Sequence, residues 1–229
     1  MKMKVKRYIA LSLALLSMLS LCLSSCGKGN KFSMNDEGRY VDKKTNIAYI
    51  DAPFCYEPIK ISDKVYGTLD KVTLYEMEGA DPKKWLCEQS GTVFYADGVK
   101  LPTLEEMDIS YALVMLEDVA LANISDRGTI EGFVDAYMNG ISLTKPYLSD
   151  DAYKINWRIR FYDESIGVCY VLAYIEVKED VILNIDGTEI NYGKKFFYNR
   201  FDEARFVPAG DLLDDYVEAY NELNQLDGE

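Results

Sequence analysis

The clearest pattern in the chain lies between Lys154 and Tyr162. There Ile155, Trp157, Ile159 and Phe161 alternate with Asn156, Arg158, Arg160 and Tyr162, the two-residue period of a strand with two distinct faces. A second run, Val168 to Val177, puts Cys169, Val171, Ala173, Ile175 and Val177 on one side. Antiparallel pairing of the two predicts a shared opposite face carrying Arg158, Arg160, Tyr162, Tyr170, Tyr174 and Glu176. Asp186-Gly187 between Val181–Asp186 and Thr188–Tyr192 reads as a further hairpin, with another strand over Lys195–Phe201.

Helical spacing appears in two places. Ile130, Phe133, Val134, Tyr137 and Met138 form one apolar stripe over 127–139, with Asp126 placed to cap its start and Gly140 to end it. Leu213, Tyr216, Val217, Tyr220 and Leu223 form another over 211–226, where Asp211 can cap and Asp214 and Asp215 oppose the helix's positive end. Strand-like runs dominate 47–108, notably Val65–Met77 and Thr92–Tyr95 before Asp97-Gly98. Asp81-Pro82 predicts a short helix through Trp85, Leu86 and Cys87, and Thr103 with Glu106 a capped helical turn. The nearly continuous apolar run 110–124 fits a buried helix or two strands around Glu117-Asp118, and strands are preferred. The expected class is α+β: a mostly antiparallel sheet of hairpins, with the mid-chain helix and the amphipathic C-terminal helix packed on it.

The first 25 residues differ from all of this. Lys2, Lys4, Lys6 and Arg7 precede an apolar run from Tyr8 to Leu23, about 15 residues of it strongly apolar and diluted by Ser12, Ser17 and Ser20, short of the roughly 20 that span a bilayer. It ends in Leu23-Ser24-Ser25-Cys26, which resembles the lipobox of bacterial lipoproteins. The resemblance implies a cleaved signal over 1–25, acylation of Cys26, and a lipid anchor on the outer face of the cell membrane. Gly27 rather than Asp follows Cys26, so in a host with an outer membrane the pattern implies passage onward to it. Several acyl chains on one cysteine anchor durably, because each buried methylene contributes about 0.8 kcal/mol. The polar stretch from Gly27 to Asn46 reads as a flexible tether over 26–46, with a typical span of about 25 Å. Beyond it, 47–108 reads as a β-rich half and 109–229 as an α+β half, the whole of 47–229 fitting one domain or two.

Charge and composition narrow the chemistry. The chain has 25 basic and 38 acidic residues, a net charge of −13, and the signal holds four of the basic ones and none of the acidic. Without it the balance is 21 against 38, or −17, which disfavours nucleic acid as a partner. Three cysteines remain past Cys26: Cys55, Cys87 and Cys169. Cys55 and Cys87 could close a loop, but three spaced thiols without a CxxC suit small buried apolar residues better.

The absence of histidine removes Ser-His-Asp and Cys-His catalysis and histidine zinc sites. No glycine-rich phosphate cradle follows a strand. The run Asn184-Ile185-Asp186-Gly187 lacks the acid at 182 that a calcium loop needs and reads as a turn. Adjacent carboxylates at Glu117-Asp118, Asp150-Asp151, Asp163-Glu164 and Asp214-Asp215 fall where turns and a helix start explain them. No catalytic residue, metal or cofactor is therefore expected. Eighteen tyrosines suit recognition of sugars or peptides. The leading expectation is a non-enzymatic, lipid-anchored envelope protein that contacts the membrane through acylated Cys26 and binds a peptide, protein or glycan. The competing expectations are a carboxylate-dependent enzyme acting on glycan and a structural or inhibitory surface lipoprotein.

Overall fold

A computed structural model describes residues 29–144, 152–199 and 205–226. The lipobox with Cys26, the pair Asp150-Asp151 and Phe201 lie outside them. The fold is mostly β with two helices, and its strands form a closed barrel and an open sheet.

The barrel uses β1 (Asn30–Met34), β2 (Tyr40–Asp42), β3 (Ala48–Asp51), β5 (Ile61–Leu69), β6 (Val72–Met77), β7 (Trp85–Glu88) and β8 (Val93–Ala96), in the order β1-β2-β3-β8-β7-β6-β5. Neighbours are antiparallel except at the seam, where Asn30 and Lys31 of β1 lie parallel to Gly67 and Thr68 of β5. The interior is filled by Phe32, Tyr49, Leu74, Leu86, Phe94 and Ala96. At the seam the backbones approach so closely that a Cβ on Gly67 would stand 2.4 Å from the Phe32 ring and 2.7 Å from the Asn30 carbonyl oxygen. Only glycine fits there.

Two expectations are corrected by the barrel. The stretch expected as a tether contains β1 and β2 from Asn30 onward, because Phe32 and Asp42 turn inward while the polar residues between them face water. The helix expected through Trp85 is strand β7. Asp81 makes one turn, its carbonyl accepting from Lys84 and Trp85 at 2.8 and 2.9 Å, and then alternation takes over. Leu86 points into the barrel while Trp85 and Cys87 join the core outside it. A strand serves two cores at once, as a single helical turn here could not.

The open sheet runs β10-β9-β11-β12-β15-β16, built from β9 (Tyr111–Leu116), β10 (Val119–Ile124), β11 (Tyr153–Asp163), β12 (Val168–Val177), β15 (Lys195–Asn199) and β16 (Arg205–Pro208). A short strand, β4 (Tyr56–Pro58), leaves the barrel and pairs with Val168–Tyr170 of β12. A separate hairpin, β13 (Ile182–Ile185) with β14 (Thr188–Asn191), turns at Asp186-Gly187. The 110–124 run is the β9–β10 hairpin, turning at Glu117 with φ +51°.

Helices α1 (Arg127–Asn139) and α2 (Asp214–Leu226) cover one face of this sheet. Asp126 accepts from the Thr129 N–H at 2.8 Å and caps α1 as its sequence predicts. At the other end Arg205 of β16 donates to the Tyr137 and Met138 carbonyls at 2.9 Å each and lies 5.2 Å from the Tyr137 ring. Phe133 of α1 meets Phe161 and Phe197, and Tyr220 of α2 sets its edge on Trp157 at 5.4 Å. The same core takes in Tyr56, Met77, Trp85, Cys87 and Val93 from β4 and the outer wall of the barrel. Among the described residues no helix is long and apolar enough to cross a membrane.

Candidate functional site

The face expected to unite six side chains is divided between the two sides of the sheet. The pairings are Asp163 with Val168, Arg160 with Val171, and Arg158 with Ala173, so the connection 164–167 has four residues. An even-numbered connection sets odd positions of one strand against even positions of the next. Arg158, Arg160 and Tyr162 consequently share a face with Val171 and Ala173, while Tyr170 and Tyr174 lie opposite Phe161 and Trp157 under the helices. This corrects the expected grouping: correct strands, wrong register.

Each of the six has a clear place. Tyr170 accepts from the Asn199 amide at 3.0 Å in the core. Tyr174 is buried, and its hydroxyl lacks a hydrogen-bond partner among the described residues. Burial, then Glu176 and the aspartates at the start of α2, push its phenol above the ordinary range. Glu176, 7% exposed, accepts from Lys154 Nζ at 2.8 Å beside α2, near Lys195, which binds Asp214. Tyr162 is buried and stacks on Tyr111, centroids 4.5 Å apart. Arg158 and Arg160 line an open cavity on the face away from the helices, and Glu176 borders a smaller one beside α2.

That cavity is a groove of about 870 Å³. Its existence follows from the strand order. Along a single edge of β12, β4 pairs at residues 168–170 and β15 pairs at 173–176, and the two strands diverge between these stretches. The floor consists of Arg158, Arg160, Val171 and Ala173. One wall is the β4 segment from Phe54 to Ile61, the other is Tyr198 with Asn199 of β15, and the β7–β8 turn at Ser90, Gly91 and Thr92 closes one end. Phe54, on this lining, is 64% exposed.

The two arginines differ in electrostatic state. Arg160 Nη2 lies 2.7 Å from Glu57 Oε2, both side chains about a quarter exposed. Burial is the largest influence and opposes its charge, but Glu57 together with Cys169 and Tyr162 outweighs it and holds the guanidinium above its ordinary value. Its Nε is buried without a hydrogen-bond partner among the described residues. Arg158, one strand period away, is exposed and has no ion-pair partner among the described residues. An unengaged guanidinium at the floor of a groove is chemically able to pair with a carboxylate or a phosphate.

Cys55, Cys87 and Cys169 are buried, with no disulfide among the described residues, and burial followed by a neighbouring glutamate pushes Cys87 and Cys169 each up to about 12. Asp163, expected at a turn, accepts from the Asp108 N–H at 2.9 Å and from the Ser165 N–H at 3.0 Å, pinning the β11–β12 turn. No group of three or more metal-ligating side chains converges among the described residues.

Phe54, Glu57 and Tyr198 are the groove residues that sequence reasoning missed. The one signal for the first two is Pro53 and Pro58 flanking a short apolar run, the composition of an edge strand. Comparison with family models, with curated proteins and with solved structures finds no match in any of the three.

Proposed function

We propose that this chain is an exported, lipid-anchored binding protein whose groove on the second sheet face holds a ligand outside the cell. The observation that carries the binding reading is the groove between β4 and β15, with Arg158 unengaged on its floor and Phe54 on its rim. A volume of about 870 Å³ falls within the roughly 300–1,000 Å³ of ligand sites. Among the described residues its lining has one carboxylate, Glu57, already held by Arg160, whereas glycoside hydrolysis uses two placed about 5–10 Å apart. That supports recognition over cleavage. The anchor rests on Leu23-Ser24-Ser25-Cys26 after a basic and apolar lead.

Two variants test the two halves of this reading. Cys26→Ala is expected to shift the protein from the membrane fraction to the soluble exported fraction, and unchanged membrane retention rejects the anchor. Ala173→Trp places an indole on the groove floor. On an array of glycans and peptides, ligands captured by the wild-type chain are expected to be lost by this variant. Equal capture by both rejects the groove.

A further inference from the structure

We infer that the ligand class is an oligosaccharide bearing sparse carboxylates, a single uronic or sialic acid among neutral sugars, with its carboxylate on Arg158. The inference rests on the groove being the binding surface and adds what the groove selects.

Three observations weigh against strand-adding peptides, phosphate monoesters and densely charged polyanions. An extended peptide adding a strand would need free main chain along β12, but β4 and β15 occupy that edge on both sides of the groove. Between them the Val171 N–H already donates to the Cys55 carbonyl at 2.7 Å. The floor therefore offers side chains, not backbone. A phosphate monoester, close to doubly charged, would meet one unengaged guanidinium among the described lining residues, with Glu57 held on Arg160 one strand period away, so its second charge would face no free cation among them. A densely charged polyanion is repelled by an exported chain of net charge −17, with 21 basic against 38 acidic residues. One carboxylate on one guanidinium, flanked by uncharged groups, matches what remains.

The rest of the lining suits sugars. Phe54 and Tyr198 bring aromatic side chains to the lining, the kind that packs on the C–H side of a pyranose, and Ser90 and Thr92 bring hydroxyls. A bidentate pair between Arg158 and the sugar carboxylate would set the register of the chain.

The test uses the full-length chain extracted in detergent, titrated calorimetrically with two matched pairs: aldotetraouronic acid against xylotetraose, and sialyllactose against lactose. Tetragalacturonate and a tetraglutamate peptide are added as densely charged probes. At least one acidic sugar is expected to bind roughly ten- to a hundredfold tighter than its neutral partner and to lose that margin in Arg158→Ala. Arg158→Lys should restore part of it, since the charge returns without the fork. Phe54→Ala should weaken binding roughly two- to tenfold. Both side chains are exposed, so the variants are expected to melt with the wild-type chain. Equal affinity within each pair, or tightest binding of either densely charged probe, overturns the sparse-carboxylate reading while leaving the groove intact. Failure of both acidic sugars overturns it as well, and the Ala173→Trp array result then decides separately whether the groove binds anything.

Discussion

Asp42 has no exposed surface, yet its carboxylate is fully occupied. It accepts from the Lys44 N–H at 2.9 Å, Thr45 Oγ1 and Asn30 Nδ2 at 2.8 Å each, and the Tyr66 hydroxyl at 3.3 Å, tying β1, β5 and the β2–β3 turn together where the barrel closes. Burial acts to raise its pKa, but these four bonds outweigh burial and hold it below the usual carboxylate range. A depressed folded-state pKa stabilises above the unfolded value of about 3.9, and that contribution is lost as pH falls through the folded value. Asp42→Asn is therefore expected to destabilise the chain at pH 7, with the gap from wild type closing as pH drops below about 4. Denaturant titrations at pH 7 and pH 3 measure it, and a gap of equal size at both would show that the charge is not what matters. The sequence offered no hint of this role, because an aspartate two residues before Lys44 is indistinguishable from an ordinary turn residue until Asn30 and Tyr66 are brought to it.

At the scale of elements, legibility followed how local the cause was. Helix α1 could be read from its stripe and caps because Asp126, Ile130, Phe133 and Tyr137 lie within four turns of one another. The β11 and β12 strands were legible for the same reason, as was the Asp186-Gly187 hairpin. Their relative register was not. It depends on whether the β11–β12 connection has an odd or even number of residues, and the Asp163-Glu164-Ser165 signal did not say where pairing resumed. That one ambiguity moved Tyr170 and Tyr174 to the wrong face. The β1 and β2 strands escaped notice because a three- or five-residue strand with one inward side chain barely departs from a polar linker. Strand β7 lost to a stronger local signal, Asp81-Pro82, that tertiary packing of Trp85 overrode.

For the whole molecule, the shared core has a measurable result. The chain has two tryptophans, Trp85 in the barrel wall and Trp157 in the sheet, and both belong to the same cluster of buried residues. Unfolding is expected to be a single transition, since neither part can open without exposing the other's apolar surface. Trp85→Phe and Trp157→Phe leave one reporter in each part. Fluorescence-monitored denaturation of the two variants should give, after correction for any stability change seen by circular dichroism, coincident curves. A barrel signal that moves at a separate midpoint would show two independently melting units. The groove was out of reach of the sequence at this scale, because its walls come from residues 54–61, 90–92 and 198–199, which only the completed fold assembles.

The early start of the first strand changes how an acylated Cys26 would hold the molecule. Asn30 enters the barrel seam four positions after that cysteine, and so few residues reach at most about 14 Å even when fully drawn out. A protein moored on so short a line rides with its barrel end beside the lipid headgroups, and swings little. Under the proposed anchor, a ligand of the groove would be met close to the bilayer surface.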